Sequence, residues 1–133
     1  MGAWGVLAFE NDNALDWVWT LEESEDSSVL SDTLNAVVGV DEPDEDCEEA
    51  VAAAEVVAAL RGKPLAELPE EVTAFLESHA KKKPPAPLVE LAIRAVQRVA
   101  DASELKENWE ASEHAEEWQK AMGDLLHRLE EAT

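Results

Sequence analysis

At 133 residues the chain is sized for one domain, residues 1–133, able to bury a single ordinary core. Its 46% hydrophobic fraction suits a globular protein, and no apolar run approaches the roughly 20 residues of a membrane span, so a helical membrane protein is excluded. Charge is the extreme quantity: 31 acidic against 10 basic residues leave −21, which repels phosphate backbones and anionic lipid and removes nucleic acid and membranes as partners.

The chain opens on Gly2-Ala3-Trp4-Gly5. An aromatic between glycines at a chain end reads as an N-terminal strap packed into the fold, with Trp4 buried. Asn11 or Asp12 then caps a first helix over about 12–23, where Leu15, Val18 and Leu21 mark an apolar stripe with Trp17 and Trp19 beside it. A polar run from Glu22 to Ser28 ends it. Val29, Leu30, Leu34, Val37 and Val38 place a second helix at about 28–38, with Gly39 in the position of a C-terminal cap. The acidic loop from Asp41 to Asp46 leads into a third helix, about 45–61, whose early acids suit the positive end of the helix dipole. From Ala50 to Leu60 that helix is apolar nearly all round, the pattern of a central, buried helix, and it stops at Gly62 with Pro64 beyond.

Pro69 opens a shorter fourth helix that runs to about 79, with Val72, Phe75 and Leu76 on its core face. The run from Lys81 to Pro87 reads as an exposed stiff turn. A fifth helix over about 88–101 carries Leu88, Leu91, Ala92, Ala95, Val96 and Val99 inward, with Arg94 and Arg98 outward. Ser103 caps a short helix through Trp109. Ser112 caps the last, about 113–131, whose stripe is Ala115, Trp118, Met122, Leu125, Leu126 and Leu129. No segment alternates with period two, so the expected fold is all-α: a compact bundle of six to seven helices with an N-terminal strap packed on the core.

Gly2-Ala3-Trp4-Gly5, Phe9-Glu10-Asn11-Asp12, Ala14 and Asp16-Trp17 together resemble the opening of an uncharacterised bacterial family of small helical proteins, known as a domain of unknown function. Leu60-Arg61-Gly62-Lys63-Pro64, then Ala92 to Val99, then Ser103-Glu104-Leu105 with Trp109 resemble the same family further along. The resemblance implies a compact helical domain and no established activity.

No phosphate loop, Gly-rich dinucleotide turn or Cys/His zinc spacing is present, and the single Cys47 agrees with a reducing cytoplasm. The opening has neither the basic nor the apolar region of a secretory signal, so the expected compartment is cytoplasmic. Asp124 and His127 stand at i, i+3, the spacing of carboxylate and imidazole in helical metal sites, and Glu110 with His114 is a second, weaker pair. In so acidic a chain such pairs arise by chance and read first as solvated surface. Asn11, Asp12 and Asp16 form an acidic group near Trp4 that reads better as a cap than as paired catalytic acids. His79 precedes three lysines at a helix end, where a cation suits the dipole. Cys47 lies among acids that hold its thiol protonated and unreactive.

The charge is divided unevenly. Residues 1–60 hold sixteen carboxylates and no Lys or Arg, whereas residues 61–133 hold fifteen carboxylates and all ten bases. A basic protein partner, plain solubility and adaptation to high salt each account for such a surface; Glu outnumbers Asp 22 to 9, which speaks against the last. Of the five tryptophans, Trp4, Trp17, Trp109 and Trp118 are expected in the core or at its rim with indole N–H groups at the surface. Trp19 points elsewhere and is the candidate exposed anchor, with cover by a neighbouring loop as the structural alternative. The expected function is a non-enzymatic acidic protein-binding module, immunity-like or inhibitor-like, engaging a basic protein without a cofactor. Its carriers are Trp19, Glu22, Glu23, Glu25 and Asp26, then Asp41, Glu42, Asp44, Glu45, Asp46, Glu48 and Glu49. The alternative is a small helical enzyme or metal protein centred on Asp124 and His127.

Overall fold

The structure, a computed structural model, describes residue 9 and residues 12–23, 28–38, 47–60, 62, 70–79, 85–101 and 104–131. Among them are no strands and seven helices: α1 Asp12–Glu23, α2 Ser28–Val38, α3 Cys47–Leu60, α4 Glu70–His79, α5 Ala86–Asp101, α6 Glu104–Glu110 and α7 Ala115–Glu131. The fold is all-α. The strap with Trp4, the expected caps Asn11, Gly39 and Ser103, and the helix-opening Pro69 lie outside the described residues.

Helix α3 is the hub, packing against each of the other six helices. Every residue from Ala50 to Ala58 is buried, so no face of this segment meets water. Five of those nine are alanine, and short side chains let neighbouring helix axes come close. Gly62 has φ +90°, a left-handed conformation open to a residue without Cβ, and its N–H donates to the Ala59 carbonyl at 2.9 Å, closing the helix end.

Around this hub each helix turns one stripe inward. On α1 the stripe is Ala14, Trp17, Val18 and Leu21, with Leu15 only half-buried at its edge. The Trp17 indole is not at the rim: its Nε1–H donates to Thr33 Oγ1 of α2 at 2.8 Å, and that hydroxyl donates in turn to the Val29 carbonyl at 2.7 Å. A buried indole N–H that finds a partner in this way costs the core nothing in unmade hydrogen bonds. Leu30, Leu34 and Val37 face inward from α2, Val72 and Phe75 from α4, and Trp118, Met122, Leu125 and Leu129 from α7. Phe9 joins the same cluster.

Two boundaries depart from the sequence reading. Helix α5 begins at Ala86, so Ala86 and Pro87 belong to its first turn rather than to a stiff loop. Leu88 and Val89 donate to the Pro85 carbonyl at 3.0 and 3.2 Å, and Pro87 sits where a missing N–H breaks no helical bond. Ser112 is not the cap of α7. Its hydroxyl donates to the Trp109 carbonyl at 2.7 Å and accepts from the His114 N–H at 3.1 Å, forming the corner between α6 and α7. Arg98, expected outward, is half-buried, while Arg94 is exposed.

Candidate functional site

The buried face of α3 carries one charged side chain, Glu55, at 3% exposure. A carboxylate there demands a partner, because ionised groups in an apolar surround are costly unless paired and hydrogen-bonded. Arg128, one turn from the end of α7, supplies it. Its Nη1 donates to Glu55 Oε1 at 2.7 Å and its Nη2 to Oε2 at 2.8 Å, a two-pronged contact between planar groups. The remaining edge of the guanidinium donates from Nε to Asp124 Oδ2 at 2.8 Å, one turn back on the same helix. Asp124 itself is 60% exposed. The unit therefore runs from the centre of the molecule to its surface through one arginine.

Burial pushes the Glu55 carboxyl above its ordinary value, and Asp124's charge acts in the same direction; Arg128's hydrogen bonds and charge pull it back only part of the way. For Arg128, burial opposes the charge, but the hydrogen bonds and charge of Glu55, joined by those of Asp124, more than offset it, so the guanidinium is held charged. The arrangement offers no open coordination position: the inner carboxylate has both oxygens on one guanidinium. It is built to hold α7 against α3.

This arrangement changes the reading of Asp124 and His127. The Asp124 oxygen turns toward Arg128, four residues on, rather than toward His127, which is exposed. The second pair is likewise separated: Glu110 pairs with Lys106 at 2.8 Å and His114 lies 3.5 Å from Glu117. Among the described residues no group of three His, Cys, Asp or Glu side chains is arranged to hold a metal ion.

The outward face of α1 is different in kind. Asp16, Trp19, Thr20 and Glu23 follow i, i+3, i+4, i+7 and are all exposed, opposite the buried Ala14-Trp17-Val18-Leu21 stripe. Trp19 is 68% exposed. On a helix, residues three and four apart have Cβ atoms about 5–6 Å from one another, which sets a carboxylate one turn to either side of the indole. Neither Asp16 nor Glu23 pairs with a base among the described residues, and α1 and α2 contain none. Asp32 is also exposed, on α2.

Of the other expected carriers, Glu48 and Glu49 are half-buried in the first turn of α3. Glu25, Asp26, Asp41, Glu42, Asp44, Glu45 and Asp46 lie outside the described residues, as does the side chain of Glu22. What the sequence reading missed is the Glu55–Arg128 contact. Its available signal was a glutamate inside an otherwise apolar, all-round-buried helix, a position where charged residues are rare unless paired.

A family model described as a domain of unknown function, DUF4259, matches residues 2–121. No curated protein and no solved structure matches the chain.

Proposed function

The chain belongs to the DUF4259 family, whose description assigns no activity, and we propose that it is a non-enzymatic module whose acidic surface engages a basic protein, in the manner of an immunity protein or inhibitor. The observation that carries this reading is the charge distribution: sixteen carboxylates and no Lys or Arg in residues 1–60. Glu55 is spoken for inside the molecule by Arg128, whereas Asp16, Glu23 and Asp32 face water. Like charges gathered on one part of a surface repel one another and burden the folded state; the same field accelerates and orients the approach of a basic partner. The exposed Trp19 adds a residue type enriched at the energetic centres of interfaces. The cytoplasm is the compartment this reading assigns, on the strength of the single Cys47, which cannot close a disulfide within the chain.

The test is kinetic. Asp32→Asn, Asp44→Asn, Glu45→Gln and Asp46→Asn are combined, and association with a panel of basic proteins is followed at low and high salt. The combined variant is expected to keep its helical circular dichroism and to associate more slowly than wild type at low salt, with the gap closing as salt rises. A variant that associates with each such protein as fast as wild type at low salt overturns the reading.

A further inference from the structure

We propose that the outer face of α1 docks an arginine-bearing segment of a basic protein partner, with the Trp19 indole lying against a guanidinium held between Asp16 and Glu23. The proposal rests on the acidic-module reading and narrows it to one helix face and one side-chain type. The indole stands 68% exposed at the middle of the stripe, with carboxylates three residues before it and four after it. No base within α1 or α2 competes for those carboxylates.

The chemistry of the stripe selects its occupant. An apolar partner laid over Trp19 would strip water from Asp16 and Glu23 without replacing its hydrogen bonds. A second copy of this chain would bring −21 against −21. Stacked nucleic-acid bases arrive with phosphates that the surface repels. A cation satisfies indole and carboxylates at once. Between the two basic side chains, guanidinium is planar, more weakly hydrated than ammonium, stacks on aromatic faces and donates two parallel hydrogen bonds to a carboxylate. Lysine can match its charge but not its plane.

The test uses an oligoarginine and an oligolysine of equal length, titrated into the whole protein at low salt by calorimetry and by tryptophan fluorescence. Wild type is expected to bind oligoarginine about two- to fivefold more tightly than oligolysine, the span of an exposed cation–aromatic contact. Oligoarginine should also perturb the emission of Trp19. Trp19→Ala should erase the preference while salt-dependent binding of both peptides persists. Asp16→Asn with Glu23→Gln, a variant that keeps the indole, should weaken oligoarginine more than oligolysine. If Trp19→Ala retains the full arginine preference, the inference is overturned and the acidic-module reading stands. If neither peptide binds wild type at low salt, both fail. A wild type that self-associates, and becomes monomeric on Trp19→Ala, also overturns the inference, because a second copy then covers the indole.

Discussion

Glu55 on α3 and Trp19 on α1 are each out of keeping with their surroundings, one a carboxylate in an apolar core and the other an indole in water. Their treatment by the fold is opposite. Glu55 has both oxygens on a guanidinium brought from the far end of the sequence, 73 residues away. Trp19 is left with two-thirds of its surface in solvent, while Trp17, two residues earlier, is buried and hydrogen-bonded to Thr33. A misplaced group that the molecule resolves internally belongs to its stability. One that it leaves unresolved, next to neighbours that it also leaves unresolved, points outward.

The widest way to test that contrast is to strand the carboxylate. Arg128→Met is expected to cost about 3–5 kcal/mol, the usual penalty for removing one member of a buried ion pair, measured by urea unfolding. Glu55 then loses the partner that held its pKa down, so it rises further above its ordinary value. A carboxyl with a raised folded-state pKa binds its proton more tightly folded than unfolded. The variant should therefore regain stability as pH falls from neutral through that raised value, and lose it again as pH climbs. Glu55→Leu combined with Arg128→Met is the reference: with both charges gone it should unfold within about 1 kcal/mol of wild type or later, and lack that pH dependence. An Arg128→Met protein as stable as wild type at neutral pH would remove the pair from the account of how α7 is held.

A smaller effect sharpens the same contrast from the α7 side. Gly123 is exposed within that helix, and a Cβ added there meets nothing within 4 Å. Gly123→Ala should raise stability by about 0.5–1 kcal/mol through helix propensity alone, leaving the Glu55–Arg128 contact intact. A melting temperature that falls instead would show that α7 needs the freedom of that residue. The least effect is expected at the other pole. Trp19→Ala should shift unfolding by no more than about 0.5 kcal/mol, the range of ordinary surface substitutions. A loss of several times that would mean the indole supports the fold and is no free anchor.

The helices were legible because their signals are local. The i, i+4, i+7 spacing of Leu30, Leu34 and Val37 along α2, or Gly62 after Leu60, specifies a face or an end within a turn or two. Helix α5 started earlier than its sequence suggests because Pro85 and Pro87 signal a turn and a first helical turn equally well. Ser112 misled for a related reason, since its hydroxyl bonds both backward to Trp109 and forward to the His114 N–H, which still lies ahead of α7. Pairings across the fold carried no such signal. Periodicity says that Glu55 is inside but not what lies opposite, and nothing near Arg128 in sequence points to α3. The Asp124–His127 spacing suggested a metal pair because spacing places two residues on one face without saying which neighbour each prefers; Arg128, at i+4 from Asp124, was the better one. The exposed indole was half legible: it falls off the buried stripe, but whether a loop covered it depended on contacts beyond α1.

Cys47 gives the molecule its own stopwatch. The thiol is fully buried at the first residue of α3, beside Glu48 and Glu49. A thiol reagent reaches it only in the fraction of time that this corner of the hub has come apart, so the labelling rate divided by that of an unfolded reference is an equilibrium constant for opening. Because α3 touches every other helix, that one reaction reports how far the innermost element yields without the molecule unfolding. Followed in the presence of a bound partner, it would register whether docking on α1 quiets the centre or leaves it as it was.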